Sequence, residues 1–145
     1  MSIKYRKLVR KVNYGGEIKE KYNAKILHNN VITKEDFAEI ISQSGEMTTP
    51  NVIHAIEVFN EHFAKLLAEG HIIDLGNFGR FKPSFESKTC DKLEDVNSKT
   101  IKNITCIYKP GKTIRNALKK ARLEEDRRYD EHGKYVEKSH SKKKK

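Results

Sequence analysis

The sequence predicts an α+β fold: a helix pair beneath a small antiparallel sheet, a terminal basic helix and an added N-terminal strand pair. Three observations carry this reading. Residues 47–81 run from a long amphipathic stretch into a glycine at Gly70 and then a tight turn at Gly76-Asn77. The apolar residues of that run recur first at helical spacing and then alternate as a strand does. About thirty residues later, Tyr108-Lys-Pro-Gly-Lys112 leads into a second, glycine-opened basic helix.

Taken in order, Ile3 to Val12 and Tyr22 to Leu27 are β-prone, and Asn13-Tyr14-Gly15-Gly16 between them supplies residues tolerant of positive φ. Ile3 and Tyr5 alternate with Lys4 and Arg6, as expected for a half-buried strand. A hairpin or strand pair with a longer than ideal loop is expected, the alternative being a disordered basic arm. Thr33 caps the first helix, because its hydroxyl can accept from the amide three residues on and Glu35 and Asp36 suit the positive end of the helix dipole. Gly45 ends it, and Thr49-Pro50 opens the second helix where proline is best tolerated.

Along that second helix Val52, Ile56, Phe59, Phe63 and Leu66 recur at spacings of 4, 3, 4 and 3. This is a seam able to pack against another helix across a dimer axis, or within one subunit. Ile72 to Leu75 and Phe78 to Phe85 read as strands, with Phe81, Pro83 and Phe85 facing the core and Arg80 and Lys82 turned outward. Ile104 to Tyr108 is the return strand. The last helix presents Ile114, Leu118 and Ala121 inward and is expected to run through Arg128 before Gly133 stops it. Ser139 to Lys145 ends in four lysines, which repel one another and leave nothing to bury.

The net charge of +10 and pI near 9.5 point to a polyanionic partner, since lysine and arginine bind phosphate by releasing its condensed counterions. The charge is concentrated at the ends. Residues 1–12 carry five positives and no negatives, residues 13–108 eleven against fourteen, and residues 109–145 fourteen against six. No apolar run approaches the roughly 20 residues of a membrane span, and the N-terminus lacks the apolar stretch of a secretory signal. A cytoplasmic protein without a membrane partner is expected. Cys90 and Cys106 stand without ligand spacing, so free thiols and no structural metal are expected.

Three blocks carry a family resemblance: Thr33-Lys-Glu-Asp-Phe-Ala38 with a following helix that ends at Gly70, Phe78-Gly79-Arg80-Phe81, and Gly111-Lys112 after the aromatic Tyr108. In order and spacing they resemble the HU/IHF family of bacterial histone-like proteins, over Val31 to about Leu123, roughly two-thirds of the chain. The resemblance implies an HU/IHF-like fold with a β-arm and C-terminal helix, a homodimer, and binding and bending of double-stranded DNA with little sequence preference. With its N-terminal strand pair the chain resembles an extended, atypical branch of that family. Two departures stand out. Asn77 replaces the first glycine of the family's turn, a mild change because asparagine visits left-handed backbone. The arm from Lys82 to Ile107 lacks the arginine-asparagine-proline motif whose proline wedges between base pairs. Leu93 and Val96 are the apolar residues available in its place.

The expected organisation is a basic strand pair over residues 1–30, an HU-like DNA-binding domain over 31–132, and a disordered lysine-rich tail over 133–145. Expected DNA contacts are Arg80, Lys82, Lys88, Lys92, Lys99, Lys102, Lys109, Lys112, Arg115 and Lys119, and expected dimer-interface residues are Val52, Ile56, Phe59, Phe63, Leu66, Phe78 and Phe81. The arm lysines share their segment with Asp91, Glu94 and Asp95, so backbone attraction through the termini and the last helix should dominate over kinking. No enzymatic site is expected. Glu61-His62 lacks the second histidine of a zinc-protease motif, because Lys65 stands where it would fall, and His54 and His62 have no third ligand. No cofactor and no small-molecule substrate are expected. The main reading is nucleoid compaction or architecture through phosphate contacts. An HU-fold interaction module and RNA binding through the basic tail are the alternatives, because a basic tail does not distinguish polyanions.

Overall fold

The computed structural model describes residues 1–136. They divide into two compact units, Val31–Lys119 and a second built from Met1–Asn30 with the segment from Lys120 onward. The sequence reading placed residues 120–132 with the middle of the chain. They belong instead with the N-terminal strands, because a strand of this segment pairs with them.

In the first unit, α1 (Lys34–Ser42) and α2 (Thr49–Ala68) form the helix pair. Thr33 caps α1 as expected: its Oγ1 accepts from the Asp36 N–H at 3.1 Å, and the Asp36 carboxylate accepts from the Thr33 N–H at 3.2 Å. This reciprocal box satisfies two otherwise orphaned donors. Thr48 caps α2 through the Asn51 N–H, with Pro50 in the first turn. The unit's sheet is antiparallel, with β3 (Ile73–Asp74), β4 (Gly79–Ser87) and β5 (Ile101–Pro110) in that order. α3 (Lys112–Lys120) follows β5 directly.

Gly79, at the start of β4, and Gly111, between β5 and α3, are required by contact. A methyl group on Gly79, whose φ is +140°, would lie 2.5 Å from the Lys109 carbonyl oxygen, and one on Gly111 would overlap the Asn77 carbonyl group. The β4 strand and the head of α3 therefore meet the neighbouring backbone too closely to admit any side chain. The Gly111 N–H donates to the Phe78 carbonyl at 3.0 Å, and the Tyr108 hydroxyl donates to the same oxygen at 2.6 Å.

The second unit is a three-stranded sheet. β1 (Ser2–Tyr14) and β2 (Glu17–Leu27) form a hairpin closed by Gly15-Gly16, both at positive φ, with the Asn13 Oδ1 accepting from the Gly16 N–H. This is a two-residue turn that suits the strand twist, so the strands are longer than their β-prone cores suggest and the loop shorter. β6 (Arg122–Glu125) runs parallel to β1, pairing Ser2 with Arg122 through Tyr5 with Glu125, which leaves β1 central in the order β2-β1-β6. The helix expected to continue through Arg128 thus stops at Lys120. Arg122-Leu-Glu-Glu125 has good helix formers, but the open edge of β1 offers them a ladder, and tertiary pairing overrides propensity.

Gly133 to Val136, expected to begin a free tail, are tied down: Tyr135 bridges Tyr129 and the Val136 N–H donates to the Arg128 carbonyl at 2.6 Å. The lysine run expected to be disordered, residues 139–145, lies outside the described residues.

Packing inside the first unit is thin. Ala38 and Val52 are its buried apolar side chains. Phe85 was expected to face a core but is exposed, because no helix lies beneath that part of the arm. Leu118 is likewise exposed, Ile114 is half-buried, and Ala121 falls beyond the end of α3.

Candidate nucleic-acid interface

The register of β4 and β5 sorts their side chains into two faces. Arg80 pairs with Lys109 and Lys82 with Ile107 on one; Phe81 pairs with Tyr108 and Pro83 with Cys106 on the other. The second face is a shelf of stacked rings. Phe81 lies 4.7 Å from Tyr108 and 6.1 Å from Phe78, and packs edge-on against Phe63 of α2 at 5.1 Å. Aromatic packing on α2 therefore holds the strand pair with Arg80, Lys82 and Lys109 turned away from the helices. A register shift between Ser84 and Glu86, with Asn103 at φ +51°, breaks the ladder where the arm leaves the sheet.

The chain turns at Pro110-Gly111 from Lys109 straight into Lys112, so the basic strand face and the head of α3 are neighbours in sequence and joined by the Gly111 contact. On α3, Lys112, Arg115 and Lys119 follow at i, i+3 and i+7, which puts them on one side of the helix. No acid stands in its first turn. A lysine at the positive end of a helix dipole is unfavourable by roughly 0.3–1 kcal/mol, and an anion bound there reverses the sign. Among the described residues, none of Lys82, Lys109, Lys112, Arg115 and Lys119 makes an ion pair.

Arg80 is different. Its guanidinium donates to the Asp74 carboxylate at 2.6 and 3.2 Å. The Arg80 hydrogen bond, then the Gly76 N–H donated to the same carboxyl group, hold Asp74 below the ordinary carboxylate range. Residue-by-residue reading missed this pair, although counting across the Gly76-Asn77 turn places Asp74 opposite Arg80.

The remaining expected contacts do not join this cluster. Lys102 faces Glu86 across the ladder. Lys88 is at the end of the strand pair, its N–H donating to the Thr100 carbonyl at 2.9 Å. Lys92 and Lys99 flank or lie in the short helical turns Leu93–Asp95 and Ser98–Thr100, among Asp91, Glu94 and Asp95. Leu93, one of the two wedge candidates, is 89% exposed there.

Of the expected interface residues Val52, Ile56, Phe59, Phe63 and Phe78 line an apolar groove, with Phe37 and Met47 among its other walls and no polar side chain among its lining residues; Leu66 and Phe81 do not line it. Phe59 is 60% exposed and Phe78 53%, while Leu66 is exposed further along α2. Val52 and Phe81 are instead largely used within the chain. Cys90 and Cys106 are free. Among the described residues there is no group of three or more potential metal ligands and no helix long and apolar enough to cross a membrane.

A capped helix pair with a three-stranded antiparallel sheet, two of whose strands extend as an arm with a basic helix at its root, is the architecture of the histone-like class. The chain belongs to the HU/IHF family: a family model described as an HU domain fused to a winged helix-turn-helix, Ig or glycine-rich motif matches residues 1–125. That match includes the N-terminal strand pair. The chain is also similar to the integration host factor subunit beta of Photobacterium profundum, at 32% identity over 98 residues, covering 62% of this chain and 97% of the relative.

Proposed function

We propose that this protein is a nucleoid-associated architectural protein that binds double-stranded DNA as a homodimer, through phosphate contacts and without reading base sequence. The observation that carries the reading is the joined basic surface of Arg80, Lys82 and Lys109 on the sheet with Lys112, Arg115 and Lys119 on α3, backed by aromatic packing. Side chains fixed to a sheet and a helix head make a preorganised phosphate surface, and contacts to phosphate carry no sequence information. Family membership supports DNA as the polyanion. The open apolar groove supports the dimer, because a solvated groove of this kind is unfavourable unless covered, and a two-fold partner covers it with its own copy.

The arm's role in this reading is electrostatic. Its far end sets Asp91, Glu94 and Asp95 among its lysines, and it carries no proline wedge, so DNA bending by intercalation is not included. The experiment is fluorescence anisotropy with a roughly 40-base-pair random duplex across a salt series, comparing the full chain with a chain ending at Val136. A steep salt slope retained by the shorter chain supports the folded surface as the binder. Loss of all binding in the shorter chain, even at low salt, refutes it in favour of a tail-borne attraction.

A further inference from the structure

The N-terminal sheet has a second face that the family resemblance does not account for. The β1–β2 register sets Arg6 opposite Lys25 and Arg10 opposite Lys21, with Lys4 and Lys19 on the same face at its ends. Directly opposed side chains are only about 5 Å apart, and like charges in that position destabilise a sheet. The acids beside this face are Glu17, which pairs with Lys19 at 3.8 Å, Glu124 of β6, which stands opposite Lys4, and Asp126, whose N–H donates to the Tyr5 carbonyl and whose carboxylate is already held by Arg128. On β1 and β2 themselves the interior of the face, from Arg6 to Arg10 and from Lys19 to Lys25, carries no acid.

Lysine on the edge strand β2 is explained by protection against edge-to-edge pairing. That account reaches Arg6 and Arg10 less well: β6 pairs with β1 only from Ser2 to Tyr5, but beyond it the Val9 N–H donates to the Glu131 carbonyl at 3.0 Å, so this edge of β1 is partly covered. Arg6 is held in place, its guanidinium 5.7 Å from the Tyr129 ring and close against Gly133. Arg10, Lys19, Lys21 and Lys25 are exposed. From Lys4 to Arg10 the face extends about 20 Å at roughly 3.4 Å per residue, the rise of about six base pairs.

We infer that this face is a second phosphate-binding surface for duplex DNA, formed by Arg10, Lys19, Lys21 and Lys25 with Arg6 behind them. It rests on the reading of the chain as a duplex-DNA binder and adds to it a site on the unit that the histone-like core lacks. The unrelieved cross-strand repulsion is what a phosphate backbone neutralises, so the sheet gains both affinity and stability on binding.

The test compares full-length wild type, the double variant Lys21→Gln/Lys25→Gln, and a charge-matched control, Ile18→Glu/Ala24→Glu, whose changes lie on the opposite face of β2. Duplex binding is measured across a salt series. Neutralising two phosphate contacts reduces the slope of log affinity against log salt by about 1.8, on the order of a hundredfold in affinity at ~50 mM salt. The control keeps the wild-type slope within about half a unit, because it removes no phosphate contact. The melting temperature of the double variant stays at or above that of wild type, since two like-charge pairs have been removed, which excludes unfolding as the cause. An unchanged slope in the double variant, or an equal loss in the control, overturns the second surface while leaving the histone-like reading intact. Absence of duplex binding by wild type would instead overturn the histone-like reading, and this inference with it.

Discussion

Truncating Phe59 to alanine is expected to take the proposed two-fold dimer apart while leaving the protomer folded. Phe59 keeps 60% of its surface exposed in a single chain. For a phenylalanine of roughly 200 Å² that is about 120 Å², or about 3 kcal/mol at ~25 cal/mol per Å² if a partner covers it. A two-fold interface counts the residue twice. With the alanine methyl retained, the loss is about 4 kcal/mol per dimer, roughly a thousandfold in dimer Kd. Within the chain Phe59 makes an edge-to-face contact with Phe63 at 6.3 Å, worth about 0.5–1.5 kcal/mol, so folding survives. Sedimentation velocity over a dilution series reads the dimer Kd directly. Val58→Ala is the control, since Val58 is on the same helix but not among the residues lining the groove. Equal dimer Kd values for Phe59→Ala, Val58→Ala and wild type would refute the assignment of the groove to a second copy.

Three other substitutions probe the same geometry. Asp74→Asn frees Arg80 from its carboxylate partner while an amide oxygen still accepts from the Gly76 N–H; duplex affinity should rise and the salt slope steepen by up to about one unit, read by anisotropy. Gly111→Ala forces a methyl group into the Asn77 backbone and should cost roughly 3 kcal/mol or more of stability, measured by urea denaturation. In the N-terminal unit, Asp126 is buried and its carboxylate is held by hydrogen bonds from Arg128, which lower its pKa. A depressed acid contributes stability above its unfolded value of 3.8 and loses it as pH falls through the folded one. Asp126→Asn should therefore lower the melting temperature at neutral pH, and the difference should shrink only below the ordinary carboxylate range, as followed by thermal melts from about pH 7 to about pH 2.

Where a single residue carries its own instruction, the fold was legible. Thr33 with Asp36 announces α1, Thr49-Pro50 opens α2 although its cap is Thr48, and Gly70 closes it; the Phe-Gly-x-Phe run marks the turn into β4. What was not legible depended on partners distant in sequence. Nothing in Arg122-Leu-Glu-Glu125 announces a strand until β1 offers an edge, so the final helix was drawn too long and the boundary placed at residue 132 instead of Lys119. Glu17 to Lys21 have little β-propensity and were recruited by register alone. The basic residues near Gly111 were identifiable because a rigid turn joins them. The Asp74–Arg80 pair and the Arg10–Lys21 opposition emerge only once the ladder registers are known.

Whether DNA rests on the folded basic surface or on the lysine-rich tail is decided by titrating the isotope-labelled protein with a short duplex and following backbone amide chemical shifts. With DNA on the folded surface, the largest perturbations fall at Arg80, Lys82, Lys109 and the first turn of α3 around Lys112, saturating together with the measured affinity. Perturbations confined to residues 137–145, with the β4, β5 and α3 amides unmoved at saturation, would contradict it.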